Sequence, residues 1–74
     1  EYEDLVIAIK HNQFGGFCLQ ADDLEKAFTH FTKALDIIEG KYKLVISNIY
    51  MNLGNLYGQK RDYKQAIVHY LKVL

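Results

Sequence analysis

Tyr50-Met51-Asn52-Leu53-Gly54-Asn55-Leu56-Tyr57 is the stretch on which the fold turns. Around it, Ile46, Ile49, Tyr50, Leu53, Leu56 and Tyr57 recur at the three- and four-residue spacing of one helix face. Gly54 sits in the middle of that face, where glycine costs about 1 kcal/mol relative to alanine. Some packing demand must therefore exclude a side chain there. The pattern breaks at Gly58-Gln59-Lys60-Arg61, and Asp62 suits the N-cap of a following helix. Beyond it, Tyr63, Ala66, Ile67, Tyr70, Val73 and Leu74 form a second apolar face. Proline is absent throughout, so nothing forbids long helices.

Working outward, the same pattern appears earlier in the chain. Displaced by 39 positions, Leu5-Val6-Ile7 falls on Leu44-Val45-Ile46, Gly15 on Gly54, Gln20 on Gln59, Asp23 on Asp62, Ala27 on Ala66 and His30 on His69. Conservative pairs fill the intervals: Phe14 with Leu53, Phe17 with Leu56, Leu24 with Tyr63, Phe31 with Tyr70. In the first copy Asp22 or Asp23 caps the second helix, and Gly40 is its natural C-terminal stop. The spacing predicts helices near 2–20, 23–39, 42–59 and 63–74. Short connections make consecutive helices antiparallel neighbours. The expected fold is all-α: two tandem antiparallel helical hairpins, 1–40 and 41–74, forming a short α-solenoid. The chain opens on Glu1 rather than Met, which reads as a fragment or a processed product.

These residues resemble the tetratricopeptide repeat, which carries an aromatic, Leu-Gly and Tyr on its first helix and Ala, an aromatic and Ala on its second. The second copy gives Tyr50-x-x-Leu53-Gly54-x-x-Tyr57, then Ala66-x-x-x-Tyr70-x-x-Val73. The first gives His11-x-x-Phe14-Gly15-x-x-Cys18, then Ala27-x-x-x-Phe31-x-x-Ala34, with His11 and Cys18 in place of aromatics. The resemblance makes Gly15, Ala27, Phe31, Gly54, Tyr57, Ala66 and Tyr70 packing positions. Gly15 with Ala27, and Gly54 with Ala66, are expected to let paired helices touch backbone to backbone. The period departs from the usual repeat of about 34 residues, and the usual Pro after the second helix is missing. The extra residues fall between Leu35 and Ser47. Repeats of this length resemble those of bacterial peptide-pheromone receptors and of G-protein-signalling-modulator scaffolds.

A polar stripe runs along the first helix of each copy. Asn48, Asn52, Asn55 and Gln59 are spaced by four, three and four residues, which places them on one face. Gln13 and Gln20 occupy matching phases in the first copy, with Asn12 beside them. First helices line the concave surface of such solenoids, where ligands sit. Amides both donate and accept hydrogen bonds, so they suit a polypeptide backbone irrespective of its charge. The competing reading is solvated surface, yet asparagine is a poor helix former to place there three times. A carboxylate clamp is argued against, because Asn12 and Gly16 stand at its matching positions and the basic residue is missing.

Composition narrows the function classes. The 74 residues carry nine basic and nine acidic side chains, without the basic excess of a nucleic-acid binder. No apolar run approaches the roughly 18 residues of a membrane span, and Glu1, Glu3 and Asp4 stand where a signal peptide would be basic. A single cysteine, Cys18, fits a reducing compartment and a cytoplasmic location. No phosphate loop, metal motif or nucleophile triad is present. His30 and His69 lie at equal phase, roughly 10 Å apart across packed helices, too far to share one metal ion, and are expected on the outer surface. His11 and Cys18 are expected in the core.

The sequence thus implies a non-catalytic scaffold without cofactor or metal. Its concave face, through Asn12, Gln13, Gln20, Asn48, Asn52, Asn55 and Gln59, would hold a protein or peptide partner. One alternative is the ligand-sensing module of a bacterial peptide-responsive regulator. Another is a self-assembly module, since Leu5, Val6 and Ile7 at one end and Ile67, Tyr70, Val73 and Leu74 at the other would lack a covering neighbour.

Overall fold

Helical periodicity with two aspartate caps produces four helices: α1 (Tyr2–Gln20), α2 (Leu24–Ile38), α3 (Lys43–Gln59) and α4 (Tyr63–Tyr70). They are seen in a computed structural model that describes residues 2–73. The caps work as their chemistry dictates. The Asp23 carboxylate accepts from the Lys26 backbone N–H at 3.3 Å, and the Asp62 carboxylate from that of Gln65 at 3.2 Å. Of the two candidates in the first copy, Asp23 is therefore the cap. Its neighbour Asp22 closes the preceding helix.

Both hairpin turns share one geometry. Asp22 (φ 64°) and Arg61 (φ 63°) adopt the left-handed conformation one residue before the caps. At the first turn the Asp23 N–H reaches the Cys18 carbonyl at 2.8 Å, and the Asp22 N–H reaches that of Leu19 at 3.1 Å. The second turn repeats both bonds, from Asp62 to Tyr57 at 2.9 Å and from Arg61 to Gly58 at 3.0 Å. This paired closure satisfies carbonyls that a helix end leaves open. It offsets the roughly 1–2 kcal/mol that a non-glycine residue loses in that conformation. Between the hairpins, Glu39 (φ 50°) and Gly40 (φ 82°) end α2, and Tyr42 (φ 63°) leads into α3.

The last helix is shorter than the sequence pattern indicates. Its apolar spacing continues toward 74, but α4 stops at Tyr70. There the Lys72 N–H bonds the His69 carbonyl and the Val73 N–H that of Tyr70, both at 3.1 Å. These three-residue closures tighten the chain into turns in place of a further α-helical turn. Leu74 lies outside the described residues.

In each hairpin the two helices pack together; α2 also packs on α3, and α1 touches α3. First helices thus share one side of the molecule. A continuous core runs through both hairpins, with Phe31, Ile38, Ile49 and Leu56 fully buried at its centre and Ala8, Cys18, Ala27 and Leu53 around them. The mid-helix glycines serve a different contact from the backbone approach expected of them. A Cβ on Gly15 would stand 2.6 Å from the Phe31 ring, and one on Gly54 would strike the Tyr70 ring. Each glycine is a notch for the aromatic ring of the following helix, while Ala27 and Ala66 are buried nearby.

The two notches differ in tolerance. Phe31 is fully buried and cannot retreat, whereas Tyr70 is 42% exposed and can swing outward. Overpacking costs about 1–3 kcal/mol, against a helix-propensity gain of about 1 kcal/mol for Gly→Ala. Gly15→Ala should therefore lower the melting temperature clearly and Gly54→Ala much less. Equal shifts in thermal unfolding followed by circular dichroism would show that the rings are not what the notches accommodate.

Candidate functional site

A groove of about 820 Å³ opens between the first helices of the two hairpins. Gln13 and Gln20 from α1 and Asn52, Asn55 and Gln59 from α3 line it, together with Phe17, Leu19 and Tyr70. A second hollow of about 330 Å³ is bounded by Asn12, Gln13 and Asn48 with Ile9, Leu44 and Val45. Gln13 belongs to both, so the two hollows meet along α1. The structure thus brings all seven amides of the sequence stripe to one strip of surface. Among the described residues, no side chain that carries a charge at neutral pH lines either hollow.

The amides divide into two groups. Asn12 of the first hairpin bonds Asn48 and Asn52 of the second, and those two bond each other within α3. Asn12 Nδ2 donates to Asn48 Oδ1 at 2.8 Å, and Asn52 Nδ2 donates to Asn12 Oδ1 at 2.9 Å and to Asn48 Oδ1 at 3.4 Å. Asn12, which lies beside the stripe in sequence, is its hinge in space, tying α1 to α3. The Asn55 Oδ1 accepts from the Tyr70 hydroxyl, which fixes its amide from the neighbouring helix. Each bonded amide still has unused capacity, since an amide offers two donors and one carbonyl acceptor. Gln13, Gln20 and Gln59 are exposed on the groove wall.

The sequence pattern carries no sign of a groove position for Phe17 and Leu44, and it marks Tyr70 as a packing residue only. Phe17 is 65% exposed at the groove rim, although its counterpart Leu56 is fully buried. Periodicity alone assigns both to a core. The signal for Tyr70 was its hydroxyl, because the matching Phe31 has none and the matching glycines already account for a ring.

The histidines are placed differently from the surface positions expected for His30 and His69. Both are half-buried between the helices of their own hairpins. The His69 ring stacks on Tyr57 at 4.9 Å. In the first hairpin Cys18 takes the Tyr57 position, and His30 instead meets His11, with Nδ1 atoms 3.0 Å apart, and the edge of Phe14. His11 is half-buried, while Cys18 is buried and free. Among the described residues no group of three or more metal-ligating side chains forms, and no helix is long and apolar enough to cross a membrane.

Paired hairpins sharing one core, with a wall of amides along their first helices, define a short α-solenoid of the kind that displays a ligand-binding face. The family model described as the tetratricopeptide repeat matches residues 6–74, and the chain belongs to that family, whose members are in general non-catalytic scaffolds for protein interactions. No curated protein and no solved structure matches the chain.

One consequence concerns pH. Burial, then the His11 ring, then the Lys33 and Lys26 ammonium groups hold the His30 imidazole below its usual value of 6.5. The folded state therefore prefers neutral His30. That contribution to stability is fully present above the unfolded value and is lost as pH falls through the lower folded one. Acidification from about pH 7.5 to 5 should lower the melting temperature, and His30→Gln should flatten that slope. Identical slopes for the two proteins would exclude His30 as the source.

Proposed function

We propose that the protein is a peptide- or protein-binding scaffold whose amide groove holds an uncharged stretch of polypeptide. The observation that carries this reading is the groove lining: amides, glycines and aromatic rings, with no carboxylate, ammonium or guanidinium group among the described residues. Such a wall offers hydrogen bonds to backbone N–H and C=O groups and apolar contact to side chains. It offers no ion pair to favour an acidic or basic partner. The Asn12–Asn48–Asn52 bonds and the Tyr70–Asn55 bond hold part of the wall in place before a ligand arrives, which lowers the ordering cost of binding.

The network also guides the choice of test. Removing Asn52 would loosen the α1–α3 tie as well as the groove, so its effect on binding would be ambiguous. Gln13 and Gln59 line the groove and make no side-chain bond within the described residues. A displayed library of random peptides of about 12 residues, panned against the chain, should enrich sequences with an uncharged central segment. The double variant Gln13→Ala/Gln59→Ala should bind an enriched peptide about tenfold more weakly, as expected for two lost hydrogen bonds of about 0.5–1.5 kcal/mol each. Its melting temperature should be unchanged. Equal affinity of the two proteins, or enrichment governed by charge, would remove the groove from this role.

A further inference from the structure

The five glycines of the chain fall into three groups by what surrounds them. Gly15 and Gly54 receive the rings of Phe31 and Tyr70, and Gly40 adopts a left-handed φ of 82° that favours glycine. Gly16 and Gly58 have neither reason. Both have ordinary helical backbone, in α1 and α3, and a Cβ on either would meet nothing within 4 Å. Inside a helix, glycine is less stable than alanine. The repeat does not ask for it either, since Gly16 corresponds to Asn55 in the second copy and Gly58 to Leu19 in the first.

Both bare positions line the amide groove, one on each wall. On α1, Gly16 follows Gln13 by three residues and precedes Gln20 by four; on α3, Gly58 follows Asn55 by three and adjoins Gln59. Each thus leaves a patch of bare backbone between amide side chains, where another main chain can come closer than a side chain would permit. The amides independently suit the same visitor. An extended chain presents unpaired N–H and C=O groups along its edges, whereas a helix has already paired its own internally. A helix, about 10–12 Å across with its side chains, also holds its backbone away from the wall.

Granted the peptide-binding groove proposed above, we infer that its occupant is an extended, uncharged polypeptide segment whose main chain packs against Gly16 and Gly58, with the neighbouring amides bonding its free N–H and C=O groups. Gly16 and Gly58 are then specificity-determining positions. They select for the conformation of the ligand's main chain, as the uncharged lining selects against ion pairing.

Alanine at these two positions separates stability from binding. Gly16→Ala/Gly58→Ala should raise the melting temperature, because each methyl group has room and the helices gain. The same variant should bind the library-enriched peptide roughly tenfold or more weakly, since a methyl group placed in a close contact is overpacked. Titrating that peptide into the unaltered chain should add no helical signal in circular dichroism. Unchanged affinity in the glycine variant, with binding still weakened by Gln13→Ala/Gln59→Ala, would keep the groove and overturn the main-chain contact. A gain of helical signal on binding would overturn it as well, and so would a lowered melting temperature, which would show that the chain itself needs those glycines. If neither double variant affects binding, or if no peptide enriches, the groove reading falls and the main-chain contact falls with it.

Discussion

Phe31 stands where every part of the molecule meets. Its ring fills the notch left by Gly15, which closes the first hairpin, and it belongs to the same buried cluster as Ile49, Leu53 and Leu56 of α3, which joins the hairpins. A hairpin of two helices has too little interior to bury a continuous apolar stripe, and a chain of this size is marginal for the same reason. Stacking a second hairpin on the first supplies the missing cover. The core therefore lies along the seam between the repeats, and α1 and α3 are brought side by side as a consequence.

That juxtaposition creates the groove. Neither hairpin has one alone, because its walls come from α1 and α3 together. The amide bonds from Asn12 to Asn48 and Asn52 are a polar continuation of the apolar seam, placed where it reaches solvent. Each such bond contributes only about 0.5–1.5 kcal/mol, far less than the burial behind it. Their effect is on register: a slip of α1 along α3 would cost both contacts at once. Tyr70 couples packing to the groove in the second hairpin, since one side chain occupies the Gly54 notch and bonds Asn55.

The two repeats are alike in pattern and unlike in detail, and the differences fall where the surroundings differ. Tyr57 stacks with His69, whereas Cys18 is too small to do so and His30 turns to His11 and Phe14. Phe31 is enclosed on all sides, but Tyr70 keeps a polar end that reaches the groove. A ring with a hydroxyl suits a half-covered site, because one end is apolar and the other can be wet.

Four helices, a cap at Asp62 and another at Asp22 or Asp23, and the pairing of hairpins were legible in the sequence, because capping and helical periodicity are local and the 39-residue repeat made the same statement twice. The strip of amides was legible for the same reason: spacings of three and four residues place side chains on one face whatever surrounds the helix. What periodicity does not encode is which neighbour each face meets. Asn12 as a hinge, the rings in the glycine notches, the half-buried histidines and the groove role of Phe17 and Tyr70 all depend on contacts between segments distant in sequence. The end of α4 belongs with them, since apolar spacing continues past Tyr70 while the backbone there closes into three-residue turns. Sequence set what each helix could bury; the stacking of one hairpin on the other decided what each in fact buried, because burial is a property of two surfaces and a local pattern describes only one.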